Sequence, residues 1–595
     1  MTNSKTIQAI AVSPGIAIGR VLRLVSRARM SEPELRKIRS DEVDAELARF
    51  HAALESTRRQ LKALQEELRL KLNSRDAGIF EAQRMLVEDR TLLDEIEKFI
   101  CDVHLGVECA IYRAVEHFTR VFGAIADEYL QERAADLRDV TARIMQNLDD
   151  VELAAPGIDD RRIIVAPTLT PSETAQLDRS KVLGFAVAAG STTSHTAILA
   201  RSMQLPAVVG VPGELIDRLS AADTVIIDGY SGKLIVNPDA RTVESYKLKI
   251  AATGKFLREL ARERALLPET ADGFLIELAA NLDSPRDYSE VEKSGAHGVG
   301  LLRTEFLFME PTHIPDEDEQ FEMYRRLLIT AGDKPVTIRT FDIGGDKLSA
   351  GIYRAVEQNP FLGLRGIRLC LHERLDLFKM QLRALLRAGV YGNLRVMLPM
   401  ISSVREVIDS KLLIEELRSE LLREKRECVS KLVLGAMVET PAAALMADKL
   451  ARQVDFLSIG TNDLAQYTMA IDRGNERVAH LYQPSHPAIL KLIRNCVVAA
   501  NAANIHVGVC GQMAGDPVMT ALLVGLGVHE LSMVPAAVAV VRRVIRGLSF
   551  HEAEEAAMAA LECTHAAEAL AYSTRLLKLC SPEIAEIQPA EAAVR

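Results

Sequence analysis

Eight short apolar runs of β-strand character recur between residues 274 and 533, and a helical pattern separates each run from the next. This alternation predicts a parallel sheet, because each strand needs a crossover segment that returns the chain to the same edge. Eight strand–helix repeats in about 300 residues match a (β/α)8 barrel in number and in length. We therefore predict a barrel of the TIM type over residues 269–580.

Charged side chains follow several of these runs, where the predicted strands end. Arg303, Arg339 and Arg365 occur in similar contexts, and converging guanidinium groups indicate a small anion with several negative charges. Glu439 and Asp463 follow two other runs, and one or two carboxylates beside substrate oxygens are the usual ligands of Mg²⁺. Because barrel enzymes carry their active sites at the carboxyl ends of the strands, these positions indicate an enzyme that binds a magnesium-associated, phosphorylated acid.

Each of these residues also has a structural interpretation. The arginines could pair with neighbouring acids such as Glu305 and Asp342, and the acids at the strand ends could cap the helices that follow. Cys510 follows another run, and its thiol suits a proton donor or acceptor at neutral pH, but buried cysteines are usually inert. The recurrence of such residues at one end of the predicted barrel favours the functional interpretation.

The first half of the chain has a different organisation. A short β segment near the N-terminus precedes a long stretch in which glycine and proline nearly vanish, and a compact α/β pattern follows. The isolated β segment needs a partner, and the simplest arrangement joins it to the later α/β unit. We predict an α/β domain formed by residues 1–25 and 149–240, an inserted all-helical subdomain over 26–148, a charged helical linker over 241–268 and a tail over 581–595.

One histidine of the α/β unit, His195, stands between a predicted strand that ends at Gly190 and an amphipathic helical pattern. The backbone N–H groups and the dipole at a helix N-terminus favour an anion, and imidazole can act as a nucleophile near neutral pH. A phosphoryl group on this imidazole would therefore lie in an anion-binding site. The structural alternative is a capping or core histidine, which is the commoner role of a lone histidine.

The composition limits the partners of the chain. Its net charge of −10 argues against nucleic acid, which needs a basic surface. No apolar run approaches the roughly 20 residues of a membrane span. The 8 cysteines are scattered without the spacing of a disulfide framework or a zinc site, which indicates reduced thiols and a cytoplasmic protein.

Long motifs of the chain resemble a known enzyme family. The segment "TTSHTAILARSMQLPAVVG" is similar to the phosphohistidine segment shared by Enzyme I of the bacterial sugar phosphotransferase system and the pyruvate phosphate dikinase/phosphoenolpyruvate (PEP) synthase group. The motifs "GLLRTEFLF", "RTFDIGGDK", "NPFLGLRGIR", "MVETP", "SIGTNDLAQYTMAIDRGN" and "VCGQMAGD" resemble the PEP-binding barrel of the same superfamily. The segments "VSPGIAIG", "IFEAQRMLVED" and "DEYLQERAADLRDV" resemble Enzyme I in particular, so the resemblance covers nearly the whole chain.

The resemblance implies a PEP–protein phosphotransferase whose α/β domain is a swivelling phosphohistidine domain. His195 would carry the phosphoryl group on Nε2, and Thr174 would orient its ring. Glu439 and Asp463 would bind Mg²⁺, and Cys510 would protonate the enolate to give pyruvate. The residues implied in PEP binding are Arg303, Arg339, Asn462, Asp463 and Arg473, with Lys347 and Arg365 nearby.

The resemblance also implies partners. The helical insertion would dock the carrier protein HPr, whose histidine accepts the phosphoryl group in the first step of sugar uptake. The histidine domain would swivel between the barrel and this insertion, and the linker would serve as the hinge. The barrel domain would form a homodimer.

The chain departs from the family at three places, and two other functions stay open. Gly190, Ser191 and Thr192 replace the usual Gly-Gly-Arg run, Gln512 replaces a common glutamate and Gln83 a frequent histidine. These changes leave the proposed nucleophile and metal ligands intact, so we expect activity with an altered rate or partner preference. The alternatives are a dikinase or PEP synthase, which needs a nucleotide-binding domain, and a signalling paralogue that binds PEP without transferring its phosphate.

Overall fold

A computed structural model describes residues 4–24, 33, 35–71, 86–123, 128–148, 160–169, 179–189, 197, 200, 201, 203, 205–308, 314–344, 357–473, 475 and 478–587. The chain forms two compact units, Met1–Thr253 and Gly254–Arg595. Among the described residues, no helix is both long enough and apolar enough to cross a membrane.

The first unit contains a mixed eight-stranded β-sheet. Four of its strands, β3 to β6, are parallel neighbours, and the others pair antiparallel at the two sides. The order across the sheet is β1-β8-β7-β3-β4-β5-β6-β2. The strands are β1 (Lys5–Gln8), β2 (Ile10–Ser13), β3 (Ile16–Arg23), β4 (Arg162–Ala166), β5 (Val182–Val187), β6 (Ala207–Val209), β7 (Thr224–Asp228) and β8 (Lys233–Val236).

The N-terminal β segment joins this sheet, as predicted, and it forms three strands there. A turn separates β2 from β3, and Gly15 in that turn has φ +126°, a conformation that favours glycine. Because β3 pairs with β4 although more than a hundred residues separate them, the helices between the two strands form an insertion.

The described part of the insertion contains four α-helices. They pack around buried residues that recur at helical spacing, such as Leu92, Ile96 and Ile100. The carboxylate of Glu46 accepts a hydrogen bond from the backbone N–H of Val107 at 2.9 Å, which ties the first helix to the start of the third. The helices are α1 (Val43–Lys71), α2 (Arg90–Cys101), α3 (Val107–Gly123) and α4 (Glu128–Leu148).

Two further helices whose bounds the structure describes follow in the sequence. Helix α5 (Gly213–Arg218) lies between β6 and β7. Helix α6 (Ala240–Glu263) coincides with the charged stretch predicted as a linker, and the division between the two compact units falls within it. Near its start, the Tyr246 hydroxyl donates a hydrogen bond to the buried carboxylate of Asp228 at 3.3 Å.

The second unit is a closed barrel of eight parallel strands, one for each of the eight predicted runs. The last strand pairs with the first, so the barrel has no open edge. The strands are β9 (Glu277–Leu282), β10 (Val299–Leu302), β11 (Val336–Arg339), β12 (Leu394–Leu398), β13 (Val433–Val438), β14 (Phe456–Ile459), β15 (His506–Val509) and β16 (Glu530–Met533).

Helices surround the barrel and bury its outer face. Asp272, just before β9, accepts hydrogen bonds from the backbone N–H groups of Phe550 and His551, so the beginning of the barrel caps one of its last helices. The helices are α7 (Tyr288–Ser294), α8 (Glu317–Ala331), α9 (Ile367–His372), α10 (Leu375–Ala388), α11 (Val404–Arg423), α12 (Pro441–Leu445), α13 (Ala447–Leu450), α14 (Thr461–Met469), α15 (Pro487–Ala503), α16 (Thr520–Gly525), α17 (Pro535–Gly547), α18 (Phe550–Leu561), α19 (Ala566–Cys580) and α20 (Pro582–Ile587).

Candidate active site

The carboxyl ends of the barrel strands form a polar mouth. Arg339 is the last residue of β11, and Arg303, Glu439 and Cys510 directly follow β10, β13 and β15. Asp463 lies in the first turn of α14, directly after β14. The parallel order of the strands therefore places all five predicted residues at the same end of the barrel.

A buried ion-pair network begins at Arg339. Its Nη2 donates to Glu305 Oε1 at 2.7 Å, and its Nη1 lies 3.3 Å from Asp342 Oδ2. Burial opposes the charge of Arg339, but Glu305 and Asp342 outweigh this effect and raise the pKa of its guanidinium above the ordinary value. The Nε of Arg339 is buried and has no hydrogen-bond partner among the described residues. Such a donor is suited to an anionic ligand.

Arg365 extends the network to α14. Its guanidinium binds Asp342 through two hydrogen bonds, of 3.2 Å from Nε and 2.7 Å from Nη2. The same Nη2 donates to Asp463 Oδ2 at 3.1 Å, and Nη1 donates to the Tyr467 hydroxyl at 3.1 Å. The structural interpretation of these two arginines, pairing with neighbouring acids, is therefore correct, and it is compatible with a place at the mouth.

The charges of the network do not balance. If all its members are ionised, the network carries two positive and four negative charges, a net charge of −2. A divalent cation held by Glu439 and Asp463 would neutralise this excess, so the residues present fit Mg²⁺. The buried members are Arg339, Arg365, Glu305, Asp342, Glu439 and Asp463.

Glu439 is the most perturbed acid of this network. Burial, together with the charges of Asp463 and Asp342, raises its pKa to about 8. Its Oε1 accepts a hydrogen bond from the backbone N–H of Met400 at 2.6 Å. If this carboxylate held a metal ion, a proton would compete with the ion below about pH 8.

Cys510 is buried at the carboxyl end of β15. Burial raises the pKa of its thiol to about 11, so the group is protonated at neutral pH and can act as a proton donor. The charges of Glu439, Arg339 and Arg303 are close enough to influence this pKa. Asn281 on β9 holds the backbone here, because its Nδ2 donates to the carbonyl oxygen of Cys510 at 3.0 Å.

Three predicted ligands lie at the rim of the mouth. Arg303 pairs with Asp283, at 2.6 Å between Nη1 and Oδ1, and both side chains are partly exposed. Arg473 Nη2 lies 3.7 Å from Asp463 Oδ1. Asn462 accepts a hydrogen bond through its side-chain oxygen from the backbone N–H of Gln512 at 2.9 Å.

Several predicted residues lie outside the described part of the chain. Lys347 of the predicted PEP site is one, and His195 and Thr174 of the α/β domain are two others. The same holds for Gln83, Ser191 and Thr192.

The flanks of the His195 segment are described. Strand β5 ends at Val187, three residues earlier than predicted, because Ala188 and Ala189 turn out of the strand while donating hydrogen bonds to Ala166 and Pro167. Ala197 and Ala200 are helical and buried, which agrees with the predicted helix.

Tyr467 and Asn281 are two residues of the mouth that were not predicted from the sequence. Tyr467 lies four residues after Asp463 on α14, so helical periodicity places both side chains on one face. Asn281 and Cys510 meet only through the pairing of distant strands, and no local signal identifies that contact.

Replacing Arg365 with methionine is expected to lower the free energy of unfolding of the barrel by about 3–5 kcal/mol, because buried carboxylates lose their cation. Arg418 offers a matched control: it also binds a carboxylate, Glu415, at 2.7 Å, but the glutamate is 59% exposed. Arg418→Met should cost less than about 1 kcal/mol. Urea denaturation followed by circular dichroism measures the free energy of unfolding of both variants. An equal loss of free energy in Arg365→Met and Arg418→Met would contradict a special role for the buried network.

Family models match the chain in three segments. A PEP-utilising enzyme, N-terminal model matches residues 8–133, a PEP-utilising enzyme, mobile domain model matches 158–232, and a PEP-utilising enzyme, PEP-binding domain model matches 258–550. The last covers the barrel and every described residue of its mouth.

Curated relatives match over nearly the full length. A phosphoenolpyruvate-protein phosphotransferase of Bacillus sp. (strain S) is 43% identical over 97% of this chain and 99% of its own length, and that of Geobacillus stearothermophilus has the same values. The NMR solution structure of an Enzyme I protein is 38% identical, with a TM-score of 0.35, over 42% of this chain and 99% of that one. With such identity over nearly the whole chain, this protein is an enzyme that belongs to the phosphoenolpyruvate-protein phosphotransferase family of PEP-utilising enzymes.

Proposed function

We propose that the protein transfers the phosphoryl group of PEP to Nε2 of its own His195 and then to the histidine of a carrier protein, HPr, as the first step of sugar uptake. The observation that carries this proposal is the buried Cys510 thiol beside the arginines and carboxylates of the barrel mouth. Such a mouth combines an anion site, a divalent cation site and a proton donor, which are the three elements that PEP cleavage needs.

The residues have distinct roles in this scheme. PEP would be bound by Arg303, Arg339, Asn462 and Arg473, with Lys347 and Arg365 nearby. Mg²⁺ would be held by Glu439 and Asp463, so Asp463 would lie beside both PEP and the metal ion. Mg²⁺ bound there would neutralise the anionic oxygens of PEP.

In the first step the P–O bond of PEP breaks and a P–N bond forms at neutral His195. The enolate released takes a proton from Cys510 to become pyruvate, and the thiolate regains its proton from solvent. Protonation of the carbon traps the product, which makes the transfer to histidine favourable.

The sheet supports a role for Thr174 beside His195. β4 and β5 are adjacent parallel strands, and the segments containing Thr174 and His195 follow their carboxyl ends. In open α/β sheets ligands bind at such ends. We expect the histidine domain to swivel about α6, the barrel to form the homodimer and the insertion to dock HPr in the cytoplasm, where the eight cysteines stay reduced.

Pyruvate release tests this function against its alternatives. With PEP and Mg²⁺ alone, each chain should release a single pyruvate, and added HPr should convert this burst into continuous turnover. Binding of PEP without pyruvate release would instead indicate a signalling paralogue. A requirement for ATP or AMP would indicate a dikinase or synthase.

Replacing Cys510 with serine is expected to slow pyruvate formation about 10²-fold, because a hydroxyl is a far weaker acid than a thiol. The hydroxyl is also smaller, so packing should change little. The variant should still bind PEP with its normal affinity. Stopped-flow detection of pyruvate measures the effect, and an unchanged rate would exclude Cys510 as the proton donor.

A further inference from the structure

A second polar cluster lies at the other end of the barrel. Glu277, His506 and Glu530 are the first residues of β9, β15 and β16. Each offers one ligand atom, and these atoms all lie within 4.8 Å of one another. Within the described ranges this is the one group of three or more histidines, cysteines or acids with that property.

The cluster lies inside the barrel but far from the mouth. His506 and Cys510 are four residues apart, so their side chains point to the same face of β15. Cys510 packs against the buried residues Leu301 and Met397. Four residues of strand span about 13 Å. The cluster is therefore separate from the residues proposed to bind PEP and Mg²⁺.

The distances suit a bound cation better than direct hydrogen bonds. His506 Nε2 lies 3.8 Å from Glu277 Oε2 and 3.8 Å from Glu530 Oε2. The Nε2 atom itself is buried and has no hydrogen-bond partner among the residues that the structure describes. Ligand atoms around tetrahedral Zn²⁺ lie roughly 3.3–3.5 Å apart, so a small inward movement of the side chains would complete the site.

Glu530 is the buried acid of the cluster. The residue is 8% exposed, and its carboxylate accepts no hydrogen bond from the described part of the chain. The nearest cation among the described residues, Arg395 Nη1, lies 3.9 Å from Oε2, which is beyond hydrogen-bond distance. A buried carboxylate without such bonds is costly unless a cation compensates it.

His506 is the histidine available as a ligand. The neighbouring His529 and His297 use Nδ1 to accept backbone hydrogen bonds, from Val507 at 3.2 Å and from Leu278 at 3.0 Å. Of these three imidazoles, only that of His506 has a nitrogen close to the carboxylates of both Glu277 and Glu530.

We propose that Glu277, His506 and Glu530 form a site for a structural Zn²⁺ ion, with water as the fourth ligand. Imidazole and carboxylate are common zinc ligands, and two carboxylates would neutralise the charge of the ion. The side chains of Glu277 and His506 are 42% and 30% exposed, which leaves a path from solvent. The ligands come from the first strand and the last two, so the ion would join the strands where the barrel closes.

Zinc binding to the full-length protein tests this site. The protein is stripped with a chelator and titrated with Zn²⁺ in excess Mg²⁺, which occupies the mouth. The parent should bind one equivalent of Zn²⁺. The His506→Gln and Glu530→Gln variants should bind this ion at least about tenfold more weakly or not at all. His551→Gln is a matched control, since His551 also faces a carboxylate, of Glu555 at 3.5 Å, but is exposed; it should bind like the parent.

Two further measurements protect the test against misfolding. Circular dichroism of the metal-free proteins identifies any variant that has lost its fold. In that case the Glu277→Gln variant, which changes the most exposed of the three ligands, is titrated in place of the unfolded variant. Zn²⁺ should also raise the thermal unfolding midpoint of the parent more than that of the folded variants. Equal stoichiometry, affinity and midpoint shift in the parent and in every folded variant would overturn the proposal, and neither measurement depends on phosphotransfer.

Discussion

The His195→Ala variant is expected to accept no phosphoryl group from PEP and to pass none to HPr, a loss of at least about 10⁴-fold in rate. Alanine has no nucleophilic nitrogen, and water at that position would only hydrolyse PEP. Because the proposed PEP site lies in the other compact unit, the variant should bind PEP with the affinity of the parent. Phosphorylation of HPr by labelled PEP measures the first effect, and calorimetry measures the second.

A second histidine serves as the control for this variant. His551 is 75% exposed on α18, and His551→Ala should transfer phosphate at the parental rate. Loss of PEP binding in His195→Ala would show that the substitution disturbs more than the nucleophile. Retention of phosphotransfer would exclude His195 as the phosphoryl carrier.

Glu439→Gln is expected to lower the rate of phosphoryl transfer about 10³-fold. The amide has the shape of the carboxylate, and its oxygen can still accept the hydrogen bond from Met400. It lacks the charge, so the variant should bind Mg²⁺ more weakly. The metal-free barrel should not lose stability, because the Glu439 carboxyl is mostly protonated at neutral pH and the amide is an uncharged group of the same shape.

Magnesium titrations of the transfer rate measure this effect at several pH values. In the parent, the apparent affinity for Mg²⁺ should fall as the pH drops below about 8, the pKa of Glu439. In the variant this dependence should be weaker, because the group that takes up the proton is gone. Glu415→Gln, at an exposed position, should behave like the parent. An unchanged rate and Mg²⁺ affinity in Glu439→Gln would exclude this carboxylate as a metal ligand.

The sequence predicts the barrel because its signal is periodic and local. Each strand is a short apolar run, and the residue that follows it identifies the active end, as for Glu439 and Cys510. The N-terminal segment has a weaker local signal. Its sequence predicts a β segment, and the pairing with β8, β6 and β7 shows that three separate strands form there.

The contacts within the mouth could be predicted only in part. Glu305 and Asp342 were identified as possible partners because they lie close to the arginines in sequence. The bond from Arg365 to Asp463 spans 98 residues, and only the closed barrel brings these two together. The cluster of Glu277, His506 and Glu530 could not be predicted from the sequence either. Its members begin three different strands, and they meet only because the last strand pairs with the first.

The position of the phosphoryl group tests the proposed function most directly. The protein is incubated with labelled PEP and Mg²⁺ without HPr, quenched in alkali, digested and mapped by mass spectrometry. We expect one acid-labile, base-stable phosphate on the peptide that contains His195, attached at Nε2. Phosphate on another residue, or release of pyruvate with no phosphorylated peptide, would contradict transfer through His195.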